Sequence, residues 1–202
     1  MNTTKQLRPG RHQLSRDEVK DHQRERIFRA LESVMSAQGY LDTSVADLIR
    51  SAGVSRQTFY ELFASKQDCF LSSYRRRQGS VLDVIRQTPE TENPMDRFAA
   101  FLKTYLVVMA TDPGLSRLYL IGVYTAGPEA IAKRIDMQQQ FVEGIAMVLE
   151  VQSKQDRFRC QALVATISTL VTNALLEEDP SQAVLELHQP LVGIAKQLLA
   201  VD

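Results

Sequence analysis

The chain has 202 residues, with 24 Lys and Arg residues against 24 Asp and Glu residues, so its formal net charge is zero. Its hydrophobic fraction of 44% and charged fraction of 24% are typical of globular proteins and exclude a chain that is disordered throughout. Two cysteines are too few for a disulfide framework, and no apolar run is long enough to span a bilayer. These features predict a cytoplasmic protein with no membrane partner.

The zero net charge combines two unlike halves. Residues 1–80 carry a net charge of +5 and residues 81–202 a net charge of −5. This asymmetry favours a basic module that meets a polyanion and an acidic module with another role. A charge difference of this size also arises by chance, so the motifs within the basic half must show whether it binds a polyanion.

Capping signals divide the basic half into helices, and no segment shows the two-residue alternation of a strand. Ser15 and Glu18 form a capping box at the start of the first helix, and Gly39 ends it. Ser44 and Asp47 open a short second helix in the same way. The sequence therefore predicts an all-α fold.

The second and third helices are short and are joined by a tight turn at Gly53, with Ser55 as the next N-cap. Two short helices joined by a turn that contains Gly are typical of a helix-turn-helix. Generic helical corners share this spacing, so the exposed side chains must indicate whether the motif binds DNA.

The third helix has one anchoring face and one polar face. Phe59 and Phe63 lie four residues apart and are expected to pack on the core, which directs Arg56, Gln57 and Tyr60 outwards. Arg pairs with guanine, Gln pairs with adenine, and a Tyr hydroxyl can bind phosphate. A solvated polar face is the plain alternative. The predicted DNA-binding residues of this helix are Ser55, Arg56, Gln57, Thr58 and Tyr60.

Phosphate contacts are predicted at the starts of the second and fourth helices, where backbone N–H groups face an anion. Thr43, Ser44 and Lys66 occupy these positions, and the backbone N–H of Ser44 is expected to remain available even if its side chain is a cap. Residues 1–15 are predicted to be a flexible basic arm in which Arg8 and Arg11 reach the adjacent minor groove or phosphates. A solubilising tail is the alternative for this arm.

At these residues the sequence resembles the TetR family of bacterial transcriptional regulators. The matching stretch runs from Ile27 to about Phe70 and includes the motifs Thr43-Ser44-Val45-Ala46-Asp47-Leu48-Ile49, Ala52-Gly53-Val54-Ser55, Thr58-Phe59-Tyr60 and Ser65-Lys66. Glu61 and Leu62 depart from the residue types usual for the family, so neither is assigned a DNA contact.

The resemblance implies an N-terminal three-helix DNA-binding domain, residues 16–80, and a C-terminal effector-binding and dimerisation domain, residues 81–202, with about nine helices in all. It also implies a homodimeric repressor that leaves a palindromic double-stranded DNA operator when a small hydrophobic effector binds. An activator, or a regulator that answers a partner protein or a redox signal through Cys69, is the alternative.

The acidic half predicts five helical runs, at roughly 94–111, 115–124, 128–151, 155–178 and 181–200, with a kink or break in the last at Pro190. Its sequence contains no nucleotide-binding glycine run, nucleophile elbow or metal-ligand spacing. An enzyme, a cofactor and a metal site are therefore not expected.

Aromatic and Met residues in this half predict an effector pocket, although most such residues in any protein are ordinary core. The predicted pocket residues are Phe98, Phe101, Tyr105, Met109, Tyr119, Tyr124, Thr125, Met137 and Phe141.

The run 155–178 is apolar around much of its circumference and is predicted to pair with the last helix and with their copies in a partner subunit. Burial within the monomer core is the alternative. The predicted interface residues are Phe158, Ala162, Ala165, Leu170, Ala174, Leu187 and Ile194.

Overall fold

A computed structural model describes residues 15–86 and 91–199, with the side chains of residues 80–86 left out. Within these ranges the regular structure is entirely helical, so the predicted all-α fold is confirmed. No described helix combines the length and the apolar character needed to cross a bilayer.

The basic half forms four helices: α1 (Arg16–Gln38), α2 (Val45–Ala52), α3 (Arg56–Leu62) and α4 (Lys66–Arg86). The predicted capping boxes are confirmed at Ser15 and Ser44, where hydroxyl and carboxylate satisfy the first backbone N–H groups of α1 and α2. Gly39 ends α1 with a φ of 83°, a backbone conformation that glycine adopts without a Cβ clash.

The acidic half forms six α-helices and one 3₁₀ helix within the described ranges. They are α5 (Pro94–Thr111), α6 (Pro113–Leu120), the 3₁₀ helix (Gly122–Thr125), α7 (Pro128–Val148), α8 (Lys154–Ala174), α9 (Pro180–Glu186) and α10 (His188–Leu199).

The break in the last run differs from the prediction at Pro190. Helix α9 ends at Glu186 with Leu187 as its C-cap, and Pro190 lies in the first turn of α10. A first-turn backbone N–H has no partner within its own helix, so proline is tolerated there and does not interrupt α10.

Two apolar clusters hold the chain together. The first is formed by α1 to α4 around Leu31, Phe59 and Phe70, and it also includes Leu118 and Tyr119 of α6. The second is formed by α5 and α7 to α10. Because α6 packs on α1 and also contacts α5, it joins the helix-turn-helix to the C-terminal helices.

Candidate nucleic-acid interface and ligand cavity

The turn between α2 and α3 requires glycine for two reasons. Gly53 has a φ of 61° in the left-handed region, and a Cβ there would lie 2.8 Å from Nη2 of Arg26. The same Nη2 donates a hydrogen bond to the carbonyl oxygen of Gly53 at 2.7 Å. Arg26 of α1 therefore fixes the turn, a role that sequence analysis missed because its partner lies 27 residues away.

Helix α3 presents the polar face expected for a DNA reader. Phe59 and Phe63 are buried, whereas Arg56, Gln57 and Tyr60 are exposed. The guanidinium carbon of Arg56 lies 5.9 Å from the centre of the Tyr60 ring, within cation–π distance. The three predicted residues thus lie together on the outer surface of one short helix.

Intramolecular hydrogen bonds already orient the side chains along α3. The Ser55 hydroxyl accepts from the backbone N–H of Thr58 at 3.0 Å, and the two hydroxyl oxygens are 2.8 Å apart. Gln57 Nε2 donates to Glu61 Oε1 at 2.8 Å. Glu61 therefore orients the Gln57 amide, and Ser55 and Thr58 form the N-terminal cap of the helix.

The structure corrects the phosphate contact predicted for Thr43. Its side chain is 1% exposed, its hydroxyl donates to the carbonyl oxygen of Gly39 at 2.7 Å, and its backbone N–H donates to Tyr40. A buried hydroxyl with an internal acceptor is not presented to DNA. Its role is to close the turn between α1 and α2.

Ser44 and Lys66 also have internal partners. The backbone N–H of Ser44, expected to be available, donates to Asp47 Oδ2 at 3.0 Å. Lys66 Nζ donates to the carbonyl oxygens of Tyr40 and Thr43 at 2.8 and 2.7 Å. An ammonium has three protons, so one remains for a phosphate contact. Arg8 and Arg11 lie outside the described residues.

A cavity lies between α4 and the helices α5 to α8. Six of the nine predicted pocket residues line it: Phe101, Tyr105, Met109, Tyr119, Met137 and Phe141. The other three do not. Phe98 is fully buried in the second apolar cluster, and Tyr124 and Thr125 are exposed on the 3₁₀ helix.

Three further polar side chains of the cavity were not predicted. Arg134, Gln138 and Ser168 line it, and Ser168 Oγ accepts from Arg134 Nη2 at 2.7 Å. Arg134 is 5% exposed and lies at core spacing between Ala130 and Met137. A charged residue that interrupts a buried helical stripe is the sequence signal that indicates such a site.

Tyr119 connects the cavity to the helix-turn-helix. Its hydroxyl lies 2.6 Å from Ser73 Oγ of α4 and donates to Glu32 Oε1 of α1 at 3.1 Å. Burial and the nearby Glu32 carboxylate raise the pKa of Tyr119, so the hydroxyl stays neutral and can donate. One side chain therefore touches the cavity and two helices of the basic half.

The predicted interface residues occupy different environments. Phe158 is 69% exposed and Ala165 is also exposed, so both are free to meet a partner subunit. Ala174 is a correction, because it is 7% exposed and belongs to the second apolar cluster. The remaining four are partly buried: Ala162, Leu170, Leu187 and Ile194.

Neither cysteine has the surroundings of a redox sensor. Cys69 and Cys160 are both buried, and burial raises the pKa of each thiol. The thiolate is the reactive form, so the geometry does not favour the redox alternative.

Residues 27–72 match the model of the bacterial regulatory proteins of the tetR family. No curated protein sequence matches the chain significantly.

Solved structures resemble the chain along most of its length. FadR from Bacillus halodurans, a fatty acid degradation regulator, is 22% identical, with a TM-score of 0.72 over 85% of this chain and 95% of that one. FadR from Bacillus subtilis, solved in complex with stearoyl-CoA, is 16% identical, with a TM-score of 0.72 over 85% and 96%. A TetR-family transcriptional regulator from Streptomyces coelicolor is 15% identical, with a TM-score of 0.73 over 89% and 97%. Residues 27–72 are thus similar to the DNA-binding region of the tetR family, and the chain shares the fold of TetR-family transcriptional regulators along most of its length.

Proposed function

We propose that the protein is a homodimeric repressor that occupies a palindromic operator in the bacterial cytoplasm and leaves it when a small hydrophobic effector enters the cavity. In this proposal residues 16–80 bind DNA, residues 81–202 bind the effector and the partner subunit, and residues 1–15 are a basic arm. The observation that carries the proposal is the hydroxyl of Tyr119, which joins the wall of an apolar cavity to α1 and α4 of the helix-turn-helix.

Operator reading rests on the outer face of α3. Arg56 and Gln57 are exposed beside each other and offer the donors that suit base edges in a major groove. Tyr60 is 48% exposed and places its hydroxyl where a phosphate contact is expected. Ser44, Ser55, Thr58 and Lys66 would orient the motif on the DNA backbone.

Dimerisation rests on the outer faces of α8 and α10. Phe158 and Leu176 are 69% and 64% exposed on or just beyond α8. Gly193 is exposed on α10, with open space where its Cβ would stand, so another helix can approach closely. A two-fold dimer brings two α3 helices to successive major grooves about 34–36 Å apart.

An apolar effector is favoured by the cavity lining, in which Phe101, Met109 and Phe141 face the same space. The FadR structure from Bacillus subtilis contains stearoyl-CoA, which is consistent with a hydrophobic ligand in this fold. Release follows if the ligand shifts α6, because Tyr119 then changes its hydrogen bonds to Ser73 and Glu32.

Selection of genomic fragments by the purified protein, followed by footprinting, tests this function. We expect a two-fold symmetric footprint and loss of affinity when Arg56 or Tyr60 is replaced by Ala. Lys103→Ala is the control, because it removes a positive charge from an exposed position on α5. If the protein selects no sequence, operator binding is contradicted. If the Arg56, Tyr60 and Lys103 variants change DNA affinity equally, binding through α3 is contradicted.

A further inference from the structure

Arg134 is the buried charge that the helical packing leaves unbalanced. It lies on the inner stripe of α7, and its side chain belongs to a residue that is only 5% exposed. A guanidinium loses its hydration in such a place, and an ionised group in the interior normally has a counter-charge. The groups around Arg134 therefore determine whether its positive charge has a counter-charge within the protein.

Within the described part of the chain, the partners of Arg134 are neutral. Nη2 donates to the Ser168 hydroxyl, and Nε is buried with no acceptor. Two phenols also lie near: burial raises the pKa of Tyr105 to about 12 and also raises that of Tyr74, while the positive charge of Arg134 opposes both rises. No carboxylate among the side chains that the structure describes, which leave out residues 80–90, lies within 4.0 Å of the guanidinium.

A second buried donor, on Gln78, lines the same cavity. Gln78 Nε2 is buried with no acceptor in hydrogen-bonding geometry, and Gln78 lines the same cavity beside Tyr74. Two buried donors that lack an acceptor cost free energy unless a bound group accepts from them. A ligand with an anionic oxygen beside Arg134 would accept from its unsatisfied Nε and neutralise its charge.

A second arginine of the cavity lies in a region that also contains a carboxylate. Arg77 lines the cavity near Tyr119, whose hydroxyl also binds the Glu32 carboxylate. The opposite charges of Arg77 and Glu32 therefore act on the same region. Arg134, in contrast, has the neutral Ser168 hydroxyl as its acceptor and a buried Nε without one, so its positive charge is the one assigned to the ligand.

We propose that the cavity binds an amphiphilic carboxylate whose single negative charge pairs with Arg134 and whose apolar body lies against Phe101, Met109 and Phe141. This proposal rests on the proposed function, because it names the chemical class of the effector for the same cavity. One guanidinium matches a carboxylate in charge and in its two-oxygen geometry, whereas a phosphate monoester brings up to two negative charges.

Calorimetry on the purified full-length protein measures whether the carboxylate group of a ligand contributes to its affinity. Dodecanoate, octanoate and 3-phenylpropionate are the carboxylate probes, and dodecan-1-ol is the neutral probe with the same tail as dodecanoate. We expect dodecanoate to bind about tenfold or more tightly than dodecan-1-ol, the factor expected for charge-assisted hydrogen bonds in a dry site. Equal affinity for the acid and the alcohol, or no binding of any carboxylate probe, would overturn the proposal.

The variants Arg134→Gln and Arg134→Met test whether the guanidinium causes the difference in affinity between dodecanoate and dodecan-1-ol. Both variants should lose about tenfold or more in dodecanoate affinity and keep the wild-type affinity for dodecan-1-ol. Removing an unbalanced buried charge does not endanger the fold, and circular dichroism checks this. Lys133→Gln is the matched control, because it removes a positive charge from the adjacent, partly exposed position of α7. Wild-type dodecanoate binding by both Arg134 variants would overturn the assignment.

Two further measurements separate this inference from the proposed function. Dodecanoyl-CoA, which has no free carboxylate on its acyl chain, is the first probe. If it binds more tightly than dodecanoate, and if its affinity does not depend on Arg134, the proposal that the ligand is a free carboxylate is overturned. Operator release by dodecan-1-ol but not by dodecanoate would overturn the inference and leave ligand-released repression standing. Arg134-dependent dodecanoate binding with unchanged operator affinity would support the carboxylate site and contradict the effector role.

Discussion

At the scale of single residues, the helix-turn-helix separates side chains that hold the motif from side chains that face outwards. Arg26, Thr43 and Lys66 donate hydrogen bonds to backbone carbonyls of the turns, and Lys66 keeps one further proton for a phosphate contact. Arg56 and Tyr60 have exposed side chains instead. Residue type alone does not make this distinction, since both groups contain donors suited to phosphate or to bases.

Thr43→Val tests the internal role of the threonine. The change keeps the shape of the side chain but removes the hydroxyl that bonds Gly39, so we expect a loss of about 1–2 kcal/mol in the free energy of unfolding. Urea denaturation measures this loss, and the folded variant should keep wild-type operator affinity. Weaker DNA binding with unchanged stability would restore Thr43 as a phosphate contact.

Arg56→Ala tests base reading by α3. Loss of a bidentate base contact should cost about 1–3 kcal/mol at one position of the operator and relax the preference there, with stability unchanged. Binding to a panel of single-base operator variants measures the preference. A uniform loss across the panel would instead identify Arg56 as a phosphate contact.

At the scale of elements, α2 depends on its cap and α6 depends on its hydrogen bonds to other helices. Ser44 and Asp47 satisfy each other at the start of α2, and bonds from the Ser44 hydroxyl and backbone N–H hold the pKa of Asp47 below its ordinary value. Tyr119 binds α6 to α1 and α4. The first arrangement is local in sequence and the second spans 46 and 87 residues.

Ser44→Ala should reduce stability at neutral pH more than at pH 3. A carboxyl whose pKa is lowered in the folded state stabilises the fold above its unfolded pKa, and this contribution disappears as the pH falls through the folded value. Urea midpoints at the two pH values should therefore show a smaller difference between variant and wild type in acid. Ser51→Ala, at an exposed position of α2, is the control and should show a difference that does not depend on pH.

Tyr119→Phe should weaken the coupling between the cavity and the operator. The ring still fills its place in the first apolar cluster, but the bonds to Ser73 and Glu32 are lost, at a cost of about 1 kcal/mol in stability. Dodecanoate should then lower operator affinity by a smaller factor than in the wild type. Tyr105→Phe is the control, because Tyr105 lines the cavity and belongs to the other apolar cluster. An unchanged factor in Tyr119→Phe would exclude this residue as the link.

At the scale of the whole molecule, the charge asymmetry and the exposed apolar residues favour the same arrangement. The half with a net charge of +5 contains the helix-turn-helix, and the half with a net charge of −5 contains most of the cavity lining and the exposed face of α8. A dimer through α8 and α10 would bring two basic halves to the DNA together. Affinity then depends on both subunits.

Phe158→Glu should dissociate the proposed dimer. A charge buried between two apolar surfaces costs several kcal/mol, whereas in the monomer the side chain is already solvated, so the fold should persist. Sedimentation equilibrium measures the dimer, and operator affinity should fall with it. Val107→Glu is the control, since Val107 is 46% exposed on α5. A wild-type dimer in Phe158→Glu would place the subunit contact elsewhere.

The sequence by itself determined the features that depend on near neighbours along the chain. The caps at Ser15 and Ser44, the turn at Gly53 and the outward position of Arg56 follow from spacings of three or four residues, because one helical turn sets those contacts.

Only the tertiary structure decided which distant groups meet. It buried Thr43, placed Phe98 and Ala174 in the core, and brought Tyr119 against Glu32. It also surrounded Arg134 with neutral groups from other helices. Whether a polar side chain is satisfied inside a protein depends on the partners that packing brings to it, and these partners lie tens of residues away along the chain.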